Sequence, residues 1–208
     1  MIGIVNYGSG NVTAISNCLQ KNGSDSKLIN TNLDFLGVKK IILPGVGAFS
    51  EAMDKLNSSG LRRNLEQKVM KDNIPVLGIC VGLQILFNSS EEGEAEGLGF
   101  IEGRVTKLMS KTETQLRLPH IGWNTLKIKY GNQLLPITNQ NESSKFYFLH
   151  SYRINPIRTD IITSETFYGE FFPASVEIDN IFGVQFHPEK SHHFGTQLLK
   201  RYANNVAN

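Results

Sequence analysis

Cysteine is scarce. Two thiols, Cys18 and Cys80, in 208 residues cannot build the disulfide framework of a small secreted domain, and they suit a reducing setting in which a free thiolate survives. Long apolar runs are missing too. None reaches the roughly 18 residues of a membrane span, and the opening MIGIVNYGSGN lacks the basic segment, apolar core and small-residue cleavage site of a signal peptide. Charge of one sign is not in excess: the formal net charge is +2, with KK at 39–40 and RR at 62–63 as isolated pairs. A nucleic-acid partner therefore has no electrostatic footprint. No repeat, linker or low-complexity tract divides the chain. These absences predict a cytoplasmic protein with neither membrane nor nucleic acid as partner. The length suits one domain over residues 1–208, large enough to bury about 70% of its unfolded surface without metal or disulfide.

What is present alternates strand and helix signals. MIGIVN (1–6) reads as a strand ended by the glycines of YGSGN, and Asn11 can cap a helix over 12–22 with Gly23 as its stop. SKLI (26–29), KKIILPG (39–45) and PVLGI (75–79) are further strands. Helical pattern covers 48–72 with a break near Ser58, Ser59 and Gly60, and VGLQILF opens another helix. After Glu91 the chain is β-rich, through GFIEGRVTKL, RLPHIGWNTLKIK, KFYFLHSY and 161–178, before a buried strand IFGVQF (181–186) and a terminal helix from SHHFGTQLLKRYANN. The predicted class is α/β: an open, mostly parallel central sheet flanked by helices, with additional antiparallel strands or hairpins.

Within this pattern, GICVG (78–82) puts a cysteine between two glycines where a strand turns into a helix. That is the Gly–x–nucleophile–x–Gly elbow, in which the turn residue is strained and side chains two positions away would collide. The bend places Cys80 at a helix N-terminus, whose partial positive charge attracts an anion, and offers the Val81 N–H to a developing oxyanion. A bare motif of this kind also suits a buried packing cysteine. Cys18, in a helical pattern without flanking glycines, is read as packing.

A nucleophilic cysteine needs a base, and His120, His150, His187, His192 and His193 are the candidates. His187 follows an apolar strand and precedes Glu189 by two residues. Pro188 biases it toward extended geometry, in which positions i and i+2 face the same side, so the carboxylate can orient the imidazole. HPEKSHH lacks the paired short-range spacing of a zinc site, so no metal and no cofactor is expected. His192 and His193 are read as solvent-facing residues at the start of the last helix.

PVLGICVGLQ with FGVQFHPEKS resembles the triad (class I) glutamine amidotransferases. NYGSGN, LPGVGAF (43–49), SEEG (90–93), LPHIGWN (118–124), FYFLHSY (146–152) and HPEKS (187–191) follow in family order over nearly the whole chain. They are most similar to the glutaminase subunits of imidazole glycerol phosphate synthases. The resemblance implies that Cys80 attacks the side-chain amide of L-glutamine, with His187 moving the proton and Glu189 orienting it. It implies an oxyanion hole from Val46, Gly47 and Val81, and glutamine contacts from Gln84, Glu92 and the His150, Ser151 and Tyr152 backbone. It further implies a (β/α)8-barrel synthase partner that consumes ammonia, met by Tyr7, Asn11, Trp123, Tyr147 and Lys190. Trp123, the sole tryptophan, fits an interface anchor and core packing about equally well. The Pro-Gly-x-Gly run at a strand end suggests a peptide rotation that completes the oxyanion hole when the partner is occupied.

Two departures stand out: Asn6 occupies a position where aspartate is common, and KSHHFGTQLL resembles a paralogous branch that feeds ammonia to amidation of an acidic sugar in surface-polysaccharide synthesis. A free-standing cysteine hydrolase and a non-catalytic interaction subunit remain competing readings on sequence.

Overall fold

The computed structural model describes residues 1–109, 116–129, 132–135 and 144–206. Its framework is an eight-stranded sheet in the order β2-β1-β3-β4-β13-β12-β11-β8. The parallel half is built by β1 (Ile2–Val5), β2 (Ser26–Ile29), β3 (Lys40–Gly45), β4 (Val76–Cys80) and β13 (Ile181–Val184). β1, β3, β4 and β13 are buried along their whole length, which is why they read as unbroken apolar runs and not as alternating ones. The other half is antiparallel: β12 (Glu170–Ile178), β11 (Ile162–Tyr168) and β8 (Lys127–Ile128). The β-rich second half thus extends the central sheet itself.

Two smaller sheets complete the strands. β5 (Phe87–Ser90), β6 (Ile101–Lys107) and β10 (Tyr152–Pro156) form one, and β7 (His120–Thr125) pairs with β9 (Lys145–His150) in the other. The helices are α1 (Val12–Lys21), α2 (Phe49–Ser58), α3 (Arg62–Met70), α4 (Val81–Gln84) and α5 (His192–Asn204). Asn11 caps α1, its side chain accepting from Ala14 N at 3.1 Å. α5 docks through Leu198, Leu199 and Tyr202, whose hydroxyl lies 2.6 Å from the Ile41 carbonyl and 2.8 Å from that of Pro75. Among the described residues no helix is long and apolar enough to cross a membrane.

One expectation is corrected. The helix after Cys80 lasts a single turn, Val81–Gln84, and the remainder of VGLQILF leaves it for β5. Phe87 is fully buried opposite Ile101 in a parallel pair, so its apolar side chain is used by a strand where the sequence predicts a helix.

Candidate active site

β4 enters the bend in the middle of the parallel strands, flanked by β3 and β13. Cys80 takes φ 56° and ψ −113°, a left-handed conformation that a side chain occupies only under constraint. The two flanking glycines explain the constraint. A Cβ on Gly78 would stand 2.7 Å from Leu83 Cα, and one on Gly82 would stand 1.9 Å from the Leu43 carbonyl oxygen. The turn is therefore pressed against its own helix and against β3.

The chain beyond β13 supplies the second group. His187 is buried and extended, φ −101° and ψ 98°, and its N–H donates to Tyr147 O at 2.8 Å. Pro188–Lys190 forms one 3-10 turn, and this turn swings Glu189 back so that Oε1 lies 2.8 Å from His187 Nδ1. The expected pairing is present, but a tight turn and not an extended i, i+2 register makes it. Ser191 locks the turn, its hydroxyl donating to His187 O at 2.5 Å and accepting from Tyr147 N at 3.0 Å.

Cys80 and His187 line one cavity of about 80 Å³, walled by Val46, Gly47, Val81, Gln84, Glu92 and residues 149–152. Burial pulls the His187 imidazole down, but negative charge on Cys80, and then Glu189, outweighs it and raises the group to about 10. Among the described residues the buried His187 Nε2 has no hydrogen-bond partner, which leaves it for a reacting group. The Cys80 Sγ lies 3.8 Å from Leu149 O and 3.9 Å from Gln185 Nε2. Gln84 donates from Nε2 to Tyr152 O at 3.0 Å and to Gln185 Oε1 at 3.1 Å. Glu92 accepts from Phe49 N at 2.9 Å at the start of α2, and burial raises its pKa. Val46 is tied to Ser9: its N–H donates to Ser9 Oγ at 3.0 Å, and that hydroxyl donates to Val46 O at 2.9 Å.

The residues assigned to a partner divide. Trp123 is 46% exposed and stacks on His192 with centroids 5.0 Å apart and planes 8° apart. Tyr147 lies edge-on to Trp123 at 6.1 Å, and Lys190 Nζ sits 5.6 Å from the Tyr147 ring. Asn11 is exposed. Tyr7 is corrected: it is only 4% exposed, its hydroxyl donating to Pro44 O at 2.7 Å, so it braces LPGVG from within and offers little surface. Burial raises its pKa well above the usual phenol range.

Sequence reasoning missed Gln185, Ser191, Ser9, Ile121 and Leu149. Gln185 carried a usable signal, being a polar residue inside an apolar run and fully buried. Ile121 and Leu149 are cross-strand partners that share with Trp123 and Tyr147 the outer face of the β7–β9 pair, and both are exposed.

A family model described as glutamine amidotransferase class-I matches residues 3–205. The chain is 45% identical to the imidazole glycerol phosphate synthase subunit HisH of Leptospira interrogans, over 98% of this chain and 99% of that one. It is 43% identical to subunit HisH 2 of Methanococcus maripaludis, over 97% and 98%. Among solved structures, PurLQS from Thermotoga maritima superposes with a TM-score of 0.72 at 19% identity, covering 99% of this chain and 98% of that chain, a likeness of fold. A full-length family match, near-complete alignment to relatives and a strained cysteine facing a buried histidine agree: the chain belongs to the class I glutamine amidotransferase family.

Proposed function

We propose that the chain is the glutaminase subunit of an imidazole glycerol phosphate synthase, acting in the cytoplasm as one amidotransferase domain over residues 1–208. The observation that carries the reading is His187, paired with the buried Glu189 carboxylate and lining one cavity with the strained Cys80. The relatives above are named as HisH subunits of that synthase. The Cys80 sulfur attacks the glutamine amide carbon, and the carbonyl electrons move onto oxygen, which Val81 N–H and the Val46–Gly47 backbone stabilise. As the C–N bond breaks, His187 gives its proton to the nitrogen, releasing ammonia and leaving a γ-glutamyl thioester. Water, deprotonated by His187, then attacks the thioester, and glutamate leaves with Cys80 restored. Gln84, Glu92 and the 150–152 backbone hold the substrate.

Ammonia protonates and diffuses away in water, so its consumer must seal the cavity mouth. The face of exposed Ile121, Trp123 and Leu149 and half-buried Tyr147 beside the cavity, with Lys190, suits a docked partner, and a (β/α)8-barrel synthase forming a heterodimer is the partner we assign. The test is glutamate release from glutamine by the purified chain with and without that barrel. Release should rise sharply when the occupied barrel is present. Equal release by the chain alone would favour a free-standing hydrolase. Synthesis that proceeds only with an additional ATP-using amidoligase would favour the sugar-amidation branch.

Two expected results arise here. Ser9 holds the N–H of Val46 away from the role of oxyanion donor, so completing the hole requires the glycine-flanked loop to turn. Ser9→Ala should therefore raise the basal glutamate release of the isolated chain about tenfold, the scale of one hydrogen bond, with the rate of the full complex within about twofold of wild type. An unchanged or lower basal rate would remove the latch. Second, nitrogen-15 NMR should find His187 protonated at neutral pH with a midpoint near 10, and Cys80→Ala should move that midpoint downward by removing the main raising charge. Because the folded value lies above the unfolded one of about 6.5, this group's stabilisation is complete below pH 6.5 and is lost as pH climbs through 10. A midpoint indifferent to Cys80→Ala would mean the two groups do not share a proton.

A further inference from the structure

Two buried imidazoles have no task in the reaction above. β7 and β9 bring His120 directly opposite His150, and a hydrogen-bonded chain runs through both rings. The Tyr152 carbonyl lies 2.8 Å from His150 Nδ1. A carbonyl only accepts, so that nitrogen carries a proton. Burial pushes His150 down to about 3 and His120 to about 4, leaving each ring neutral at pH 7 with a single N–H. His150 Nε2 is then an acceptor, and His120 Nδ1, 3.4 Å away, is its donor. His120 Nε2 in turn accepts from Asn124 Nδ2 at 3.3 Å, whose other hydrogen goes to Phe167 O at 2.9 Å.

Every ring nitrogen is matched, and both tautomers are fixed from the two ends of the chain. On the cavity side the same Tyr152 carbonyl accepts from Gln84, which leads through Gln185 to within 3.9 Å of Cys80 Sγ. His120 lies between Tyr168 and Phe148, stacked at 4.1 Å and 4.9 Å. Stacking alone would be served as well by phenylalanine. Only the hydrogen-bond chain calls for an imidazole.

We propose that His120 is a positioning residue for glutamine binding: held with its proton on Nδ1, it orients His150, and through it the Tyr152 carbonyl and the Gln84 amide on the cavity wall. This rests on the reading of the cavity as a glutamine site and extends that site to a residue that does not line it. The group acts on bound substrate in ground and transition states alike, so its loss falls on KM and not on kcat.

The experiment compares wild type, His120→Phe and His120→Asn in complex with the barrel subunit, by glutaminase kinetics and by nitrogen-15 NMR of the histidines at pH 7. Wild type should show both rings protonated on Nδ1. His120→Phe keeps the stack but leaves His150 Nε2 without a donor, so KM for glutamine should rise about tenfold, with kcat within about twofold. His120→Asn presents an N–H close to where Nδ1 stood and should bring KM back to within about threefold. An Nε2 proton on His150 in wild type, an unchanged KM in His120→Phe, or a fall confined to kcat would each overturn the proposal. Should His120→Phe not fold, the wild-type tautomers and the His120→Asn KM decide it. A wild-type complex that releases no glutamate would refute the glutamine reading instead, and the tautomers would still report on the lock.

Discussion

Cys80→Ala is expected to lower glutamine-dependent activity of the complex by at least about 10³-fold while leaving synthesis from added ammonium salts near the wild-type rate. The division follows from where the chemistry lies. Cys80 is the thiol that lines the cavity with His187, and removing a covalent nucleophile leaves no more than the residual rate from binding and oxyanion contacts. On the proposed function the ammonia-consuming half belongs to the partner. The substitution should also be structurally mild, since alanine removes one sulfur at a position whose backbone is already fixed by its neighbours. Activity with glutamine surviving in Cys80→Ala would falsify the assignment of the nucleophile, and loss of both activities would refute the division of labour.

The second large effect concerns Gly82→Ala. Its new methyl would stand 1.9 Å from Leu43 O, 2.8 Å from Leu43 C and 2.9 Å from Pro44 C. All three are backbone atoms of β3, which is hydrogen-bonded between β1 and β4 and cannot yield without disturbing the sheet. Overpacking of this kind against immovable atoms should cost about 3 kcal/mol or more. At about 2–4 °C per kcal/mol for a chain of this length, the melting temperature should fall by about 10 °C, with glutaminase activity lost even in the fraction that folds. Gly23→Ala is the control. That glycine has φ +72° but nothing within 4 Å of the added carbon, so the cost is confined to backbone strain of about 1–2 kcal/mol and activity should persist. Equal melting temperatures for the two variants would refute the crowding argument.

The parts of the site legible in the sequence are those whose chemistry demands fixed local spacing. Cys80 between two glycines and Glu189 two residues after His187 can be recognised in a single line of text, because the elbow and the orienting carboxylate are local devices. The hydrogen bonds of Ser9 with Val46 and of His120 with His150 join residues 37 and 30 positions apart. They depend on how strands register, which no short window contains. Length misled for a related reason: VGLQILF is apolar but for Gln84, and only the pairing of Phe87 with Ile101 decides that the helix stops after one turn. Tyr7 shows the limit of carrying a position over from relatives. A resemblance transfers where a residue sits in the chain, and burial depends on what packs over it, here the Pro44 carbonyl.

The φ of 56° at Cys80 sets durability against turnover at one residue. Glycine would occupy that conformation without steric penalty, so a version of this fold freed of its nucleophile sheds the local strain that the working enzyme carries. Directed evolution toward heat tolerance therefore has to screen for catalysis in the same round, or it will reward sequences in which the bend has relaxed and the reaction has gone.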